Sequence, residues 1–134
     1  MTTLEIQNTL GNVKERFVPV DPSNIRIYAC GPTVYDYAHI GNARMAVVND
    51  LLVRLLRKLY PKVTYVSNIT DIDDKIIEAA QNAKTPFQKL TRKFEKIYNK
   101  DMFALGVLLP DMQPRATEYI KDMIDLTKKL IEAE

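Results

Sequence analysis

Hydrophobic positions along this chain switch between the period of a strand and the period of a helix. Leu4-Glu-Ile-Gln-Asn8 alternates and predicts a short strand, and Asn8 to Asn12 carries the Asn and Gly residues of a turn. Arg16 to Val20 predicts a second short extended piece, closed by Asp21-Pro22. Ile25 to Cys30 predicts a strand that ends at Gly31-Pro32. From about Gly41 to Tyr60 the period lengthens: Met45, Val48, Leu52, Leu55 and Leu59 form one helical stripe, and Val47, Leu51 and Leu56 widen it. So apolar a helix is expected to be buried on more than one side. Pro61 ends it, and Lys62 to Ile69 predicts a second strand, rich in β-branched and aromatic residues.

Strand, crossover helix and strand make a right-handed βαβ unit, so the two strands are expected to be parallel and the fold α/β. In such sheets ligands bind beyond the carboxyl ends of the strands. Those ends are Cys30-Gly31 and Asn68 to Asp71. The rest reads as helical. Asp71 to Asn82 sets Ile72, Ile76, Ile77 and Ala80 on one face. Thr85-Pro86 predicts a helix start, with Thr as N-cap and Pro at the first position. That helix carries Phe87, Leu90, Phe94, Ile97, Met102 and Leu105, and a loop from Gly106 to Gln113 follows. A last helix is expected to turn Ala116, Tyr119, Ile120, Met123, Ile124, Thr127, Leu130 and Ile131 inward. It runs to Glu134 without a Gly or Pro stop, which suggests a chain cut within or just after a helix.

Composition narrows the class only a little. A length of 134 residues, 46% hydrophobic and 27% charged, suits one globular domain with a real core. No apolar run reaches the length of a membrane span, and the N-terminus lacks a signal-peptide pattern. The single cysteine excludes an intramolecular disulfide and fits a reducing, cytoplasmic compartment. A net charge of +2 does not by itself imply nucleic acid.

The candidate chemistry lies where the first strand meets the long helix. Cys30-Gly31-Pro32 ends the strand, a polar loop follows, and His39-Ile40-Gly41-Asn42 opens the helix. Backbone N–H groups and the positive end of the helix dipole converge there, as at an anion site. The only histidine and the only cysteine of the chain both lie in this segment.

His39-Ile40-Gly41-Asn42 resembles the HIGH signature of class I aminoacyl-tRNA synthetases. Cys30-Gly31-Pro32-Thr33-Val34-Tyr35-Asp36, the stretch Val66 to Ile77 and Pro110 to Thr117 narrow the likeness to the cysteinyl-tRNA synthetase family. Three blocks in order span most of the chain. Asn42 stands where that family has a second histidine, and an amide can still donate to a phosphate. The resemblance implies the first half of a Rossmann-like nucleotide-binding fold over residues 1–134, with the βαβ site in 1–71 and a helical segment in 72–134. It implies ATP with magnesium as substrate, L-cysteine and tRNA(Cys) as partners, no membrane, and a monomer.

Residue by residue, the resemblance makes His39 and Asn42 catalytic and assigns Gly31, Thr33, His39, Gly41 and Asn42 to ATP. It assigns Thr70 and, through a zinc ion, Cys30 to the cysteine substrate. The remaining zinc ligands and a KMSKS-like lysine loop would lie outside the chain, so this length alone is expected to be inactive. Each assignment has a plainer rival. Cys30 could be a packed strand-end thiol, His39 a capping histidine, Gly41 a helix–strand packing residue and Thr33 a turn residue. Asp71, Asp73 and Asp74 look like a metal cluster, but acids in a first helical turn are favoured by the dipole alone. Arg44 and Arg115 could meet phosphate or tRNA. Two other functions keep the same motifs: a ligase that passes activated cysteine to an amino sugar, as in mycothiol synthesis, and a nucleotide-binding module without catalysis.

Overall fold

The computed structural model describes residues 4–133. An antiparallel hairpin comes first, β1 (Glu5–Asn8) against β2 (Val13–Arg16), turning through Gly11 at φ 90° and Asn12 at φ 51°. The second extended piece is therefore shifted from the expected 16–20. Only Phe17 continues the ladder, donating its N–H to the Leu4 carbonyl at 2.9 Å. β3 (Ile25–Ala29) then leads through the polar loop into α1 (Ile40–Leu59), which returns to β4 (Val63–Ser67). β3 and β4 pair in parallel from Ile25 opposite Val63 to Ala29 opposite Ser67, as a crossover helix between them requires. Residues 111–116 run along the other edge of β4, with parallel bridges Val66–Met112 and Ile69–Arg115. α2 (Asp74–Asn82), α3 (Phe87–Ala104), a 3-10 turn (Ala116–Tyr119) and α4 (Ile120–Glu132) complete the order.

Two apolar clusters hold these elements. Ile25, Val53, Leu56, Val63 and Tyr65 bind α1 to the sheet, with Leu4 and Phe17 of the hairpin region packed beside them. Val34, Ile69, Ala80, Leu90 and Phe94 bind the carboxyl end of the sheet to α2 and α3. The two clusters meet the site from both ends: one fixes the helix and strands, the other fixes the loop beyond them.

Several faces differ from the periodicity. On α1 the buried residues are Ala46, Val53 and Leu56, whereas Val47, Val48, Leu51, Leu55 and Leu59 are exposed. The expected stripe is thus mostly the outward one, and only one side of the helix is covered among the described residues. On α2, Ile76 and Ala80 are buried but Ile77 is not, and Ile72 is exposed ahead of the helix. Asp71 precedes this helix and does not belong to its first turn; Asp73 is its N-cap. On α3 Pro86 itself occupies the cap position, without a side-chain bond, and Thr85 lies one residue further out. Leu105 at its end is exposed. On α4 no residue is buried, so the expected inner side, from Tyr119 and Ile120 to Leu130 and Ile131, faces outward.

Side-chain to backbone bonds lock the 111–116 segment in place. Asp111 accepts the Tyr65 N–H at 2.7 Å and pairs with Arg57 at 3.0 Å. Arg115 pairs with Glu95 of α3 at 2.7 Å and with Glu118 at 3.0 Å. The two carboxylates hold its guanidinium even further above neutrality than usual.

The α1 correction is testable by unfolding in urea. Leu56→Ala, at a position 1% exposed, is expected to cost about 2–5 kcal/mol. Leu51→Ala, at a position 68% exposed, should stay within about 0.5 kcal/mol. Equal losses would return the core to the other stripe.

Candidate active site

The carboxyl ends of β3 and β4 approach so closely that one position admits only glycine. A Cβ on Gly31 would sit 1.5 Å from the Asn68 carbonyl oxygen. Since the obstacle is backbone, no rotamer change relieves it. The Asn68 side chain then bridges the two strand ends. Its Oδ1 accepts the Gly31 N–H at 2.8 Å, and its Nδ2 donates to Thr70 Oγ1 at 3.3 Å. With Thr70 Oγ1 taken as an acceptor, the Thr70 hydroxyl proton remains available to a ligand. Beyond these ends the pairing continues: Val34 donates its N–H to the Thr70 carbonyl, and Thr70 donates its own to the Pro32 carbonyl. Asp71, 6% exposed, accepts from both the N–H and the hydroxyl of Thr117, at 3.0 and 2.6 Å. It ties the segment after β4 to the 3-10 turn, with both of its oxygens engaged by Thr117.

The start of α1 is built reciprocally. His39 is the N-cap: its Nδ1 accepts the Gly41 N–H at 3.0 Å, and its own N–H donates to Asn42 Oδ1 at 3.1 Å. This fixes the ring in the tautomer with its proton on Nε2, which is left as the free donor. It also leaves the Asn42 Nδ2 without a hydrogen-bond partner among the described residues. Gly41 is required for the arrangement, because a Cβ there would come within 2.7 Å of His39 Cε1 and push the ring off its cap.

A cleft of about 220 Å³ opens beside this cap. The loop from Pro32 to His39 lines it, together with Asn42, Asp73, Lys75 and Tyr98. The amino ends of both α1 and α2 therefore border one hollow, and Lys75 adds a positive charge without an ion pair among the described residues. The helix amino ends and the lysine offer donors to a phosphate, while the Asp36 and Asp73 carboxylates also line the cleft. Thr33, His39 and Asn42 are gathered at this cleft, whereas Gly31 and Gly41 stand behind it as the residues that let strand and ring close up. Cys30 is exposed at the end of β3, outside the cleft lining. Among the described residues no group of three His, Cys, Asp or Glu side chains could hold a metal, so Cys30 offers one sulfur donor and not a zinc site.

Three contributors are not evident from the sequence: the Asn68 bridge, Lys75, and Tyr98, which reaches the cleft from α3. Asn at a strand end, with a chemistry-bearing residue two positions on, is the one available signal for Asn68. Arg115, a candidate contact for phosphate or tRNA, is instead paired with Glu95 and Glu118. Arg44 forms no ion pair among the described residues.

Residues 16–134 match the family model described as tRNA synthetases class I (C) catalytic domain. The chain belongs to that family. A cysteine–tRNA ligase of Rhodospirillum centenum is 53% identical over 129 residues, 96% of this chain and 28% of that protein. One from Ehrlichia ruminantium (strain Gardel) is 56% identical over 126 residues, covering 94% of this chain and 28% of the relative. One from Burkholderia mallei is 53% identical over 130 residues, 97% of this chain and again 28% of the relative. The chain thus spans little more than a quarter of the length of the curated relatives it matches. No helix among the described residues is long and apolar enough to cross a membrane.

Burial pushes the Tyr98 phenol above its usual value, with the nearby Tyr65 adding to the rise. Tyr65 is raised by burial as well, against a hydrogen bond with Ser67. The sign follows from a folded-state value above the unfolded one. The neutral phenols' stabilisation is complete below about pH 10 and is lost as pH rises through the folded values. Alkaline absorbance titration of the seven tyrosines should therefore show a late component, and Tyr98→Phe should diminish it. An unchanged curve in that variant would contradict the burial of Tyr98.

Proposed function

We propose that the protein acts as a cysteine–tRNA ligase, with this chain supplying the nucleotide cleft and part of the cysteine site. In the first step a carboxylate oxygen of cysteine attacks the α-phosphorus of ATP, which enters with magnesium. The bond to pyrophosphate breaks, and cysteinyl adenylate and pyrophosphate result. In the second step a ribose hydroxyl of the terminal adenosine of tRNA(Cys) takes the cysteinyl group, and AMP leaves. The acting unit in this reading is a monomer, working in the cytoplasm.

The observation that carries the reading is the capped imidazole at the cleft. His39 Nδ1 is occupied by the Gly41 N–H, so Nε2–H is the donor available to a phosphate oxygen. Asn42 and Thr33 line the same hollow, and donors held before the substrate arrives cost no reorganisation during reaction. Gly31 and Gly41 serve ATP indirectly, by permitting the close strand crossing and the cap. Thr70, held by Asn68, is suited to donate to the cysteine substrate. Cys30 would give one thiolate to a zinc ion whose other ligands must come from elsewhere. Such an ion would supply a soft acceptor that favours a substrate thiol over a hydroxyl.

Cysteine-dependent exchange of pyrophosphate into ATP, measured on the whole gene product, tests the reading. His39→Ala should slow exchange by on the order of a hundredfold, about 3 kcal/mol in the transition state, with the KM for cysteine little changed. Loss confined to that KM would remove His39 from the phosphate. Exchange absent in the unaltered protein would leave a nucleotide-binding module.

Cys30→Ser in the same protein should lower bound zinc and narrow its preference for cysteine over serine. A packed strand-end thiol predicts metal content untouched, so elemental analysis separates the two.

A further inference from the structure

A second charged feature lies on α3, outside the cleft. Lys89, Arg92, Lys93 and Lys96 line an open groove of about 740 Å³ along this helix. At 3.6 residues per turn, these four and the exposed Lys100 fall within an arc of roughly 100° and extend about 16 Å along the axis. None of the five forms an ion pair among the described residues. The acids of α3 do not offset them: Glu95 is held by Arg115, and Asp101 is the only other one. With a net charge of only +2 for the whole chain, this stripe is a local concentration.

We propose that this face of α3 docks the sugar–phosphate backbone of RNA. The stripe is several times longer than one phosphate, and a ladder of cations at helical spacing suits a repeating anion. The opposite face of α3 is committed to the core through Leu90, Phe94 and Met102, and Phe103 is the one large exposed apolar side chain among the cations, too little to insert the helix into a lipid surface. The stripe is joined to the cleft wall through one core side chain. The Lys93 ammonium lies 4.9 Å from the Phe94 ring centre, and Phe94 meets Tyr37 edge-on at 5.4 Å. Tyr37 lines the cleft. An RNA whose end enters the cleft would run its backbone along these cations. That direction rests on the reading of the cleft as a tRNA-charging site; the charge itself does not.

The test measures binding of a fluorescein-labelled RNA hairpin to the whole gene product as salt is varied. Replacing Lys89, Arg92, Lys93, Lys96 and Lys100 by Gln should flatten the slope of log K against log salt by about four, near one for each phosphate no longer neutralised. Cysteine-dependent pyrophosphate exchange should stay within about twofold, since these side chains are outside the cleft. An unchanged slope overturns the proposal. So does an equal flattening when Lys121, Lys128 and Lys129 of the mixed-charge helix α4 are replaced instead. Loss of binding to phosphatidylserine vesicles or to polyglutamate, with RNA binding intact, also overturns it, in favour of a membrane or an acidic protein. Should the fivefold variant lose its helical circular dichroism, Lys89→Gln with Lys96→Gln carries the same test, with an expected change of about two. If the unaltered protein shows no exchange, the cleft reading fails while the slope still decides this one.

Discussion

The contact between Gly31 and the Asn68 carbonyl sets the geometry of everything beyond the sheet. Two parallel strands that approach this closely leave no room for a side chain, and the Asn68 amide then ties the Gly31 N–H to the Thr70 hydroxyl. From that crossing the β3 chain exits as the cleft loop and the β4 chain exits toward α2. The positions of Cys30 and Thr70 are therefore not independent. Moving either strand end would break a hydrogen bond in a part-buried place, where an unpaired amide group costs roughly 1–3 kcal/mol. The Asp71 bonds to Thr117 and the Arg115 pairs to Glu95 and Glu118 hold the same region from the far side.

Much of this is legible in the residues. The change of period at Gly31 and Pro61 locates the βαβ unit, and the crossover rule gives the parallel pairing that Ile25–Val63 to Ala29–Ser67 displays. The motif residues Thr33, His39 and Asn42 do gather at one cleft. What periodicity does not give is the choice of face. The apolar arc of α1 covers more than half its circumference, so the pattern cannot tell Val53 and Leu56, which meet the sheet, from Leu51 and Leu55, which do not. The role of Asp71 is hidden for a similar reason. An acid near a helix start looks like a dipole partner, and only the third dimension brings Thr117, forty-six residues on, to its carboxylate. The bond from Arg115 back to Glu95 is equally invisible to local pattern.

Apolar surface left uncovered on α1 and α4 has a common physical meaning. Val47, Val48, Leu51 and Leu55 on one helix, and Met123, Ile124, Leu130 and Ile131 on the other, lie on exposed faces too hydrophobic for solvent alone. The outer edge of β3, with Tyr28 exposed, finds no strand partner among the described residues. These surfaces ask for cover, whereas the cleft is bounded by elements already in place.

The cap on α1 ties the donor of the cleft to the mechanics of the helix. His39 Nδ1 is the acceptor that satisfies the first turn. The ring that presents Nε2 to the cleft is thus also the fastening of the helix start. Swinging the imidazole toward a ligand would strip Gly41 of its partner, so the donor is held in place by the backbone it serves.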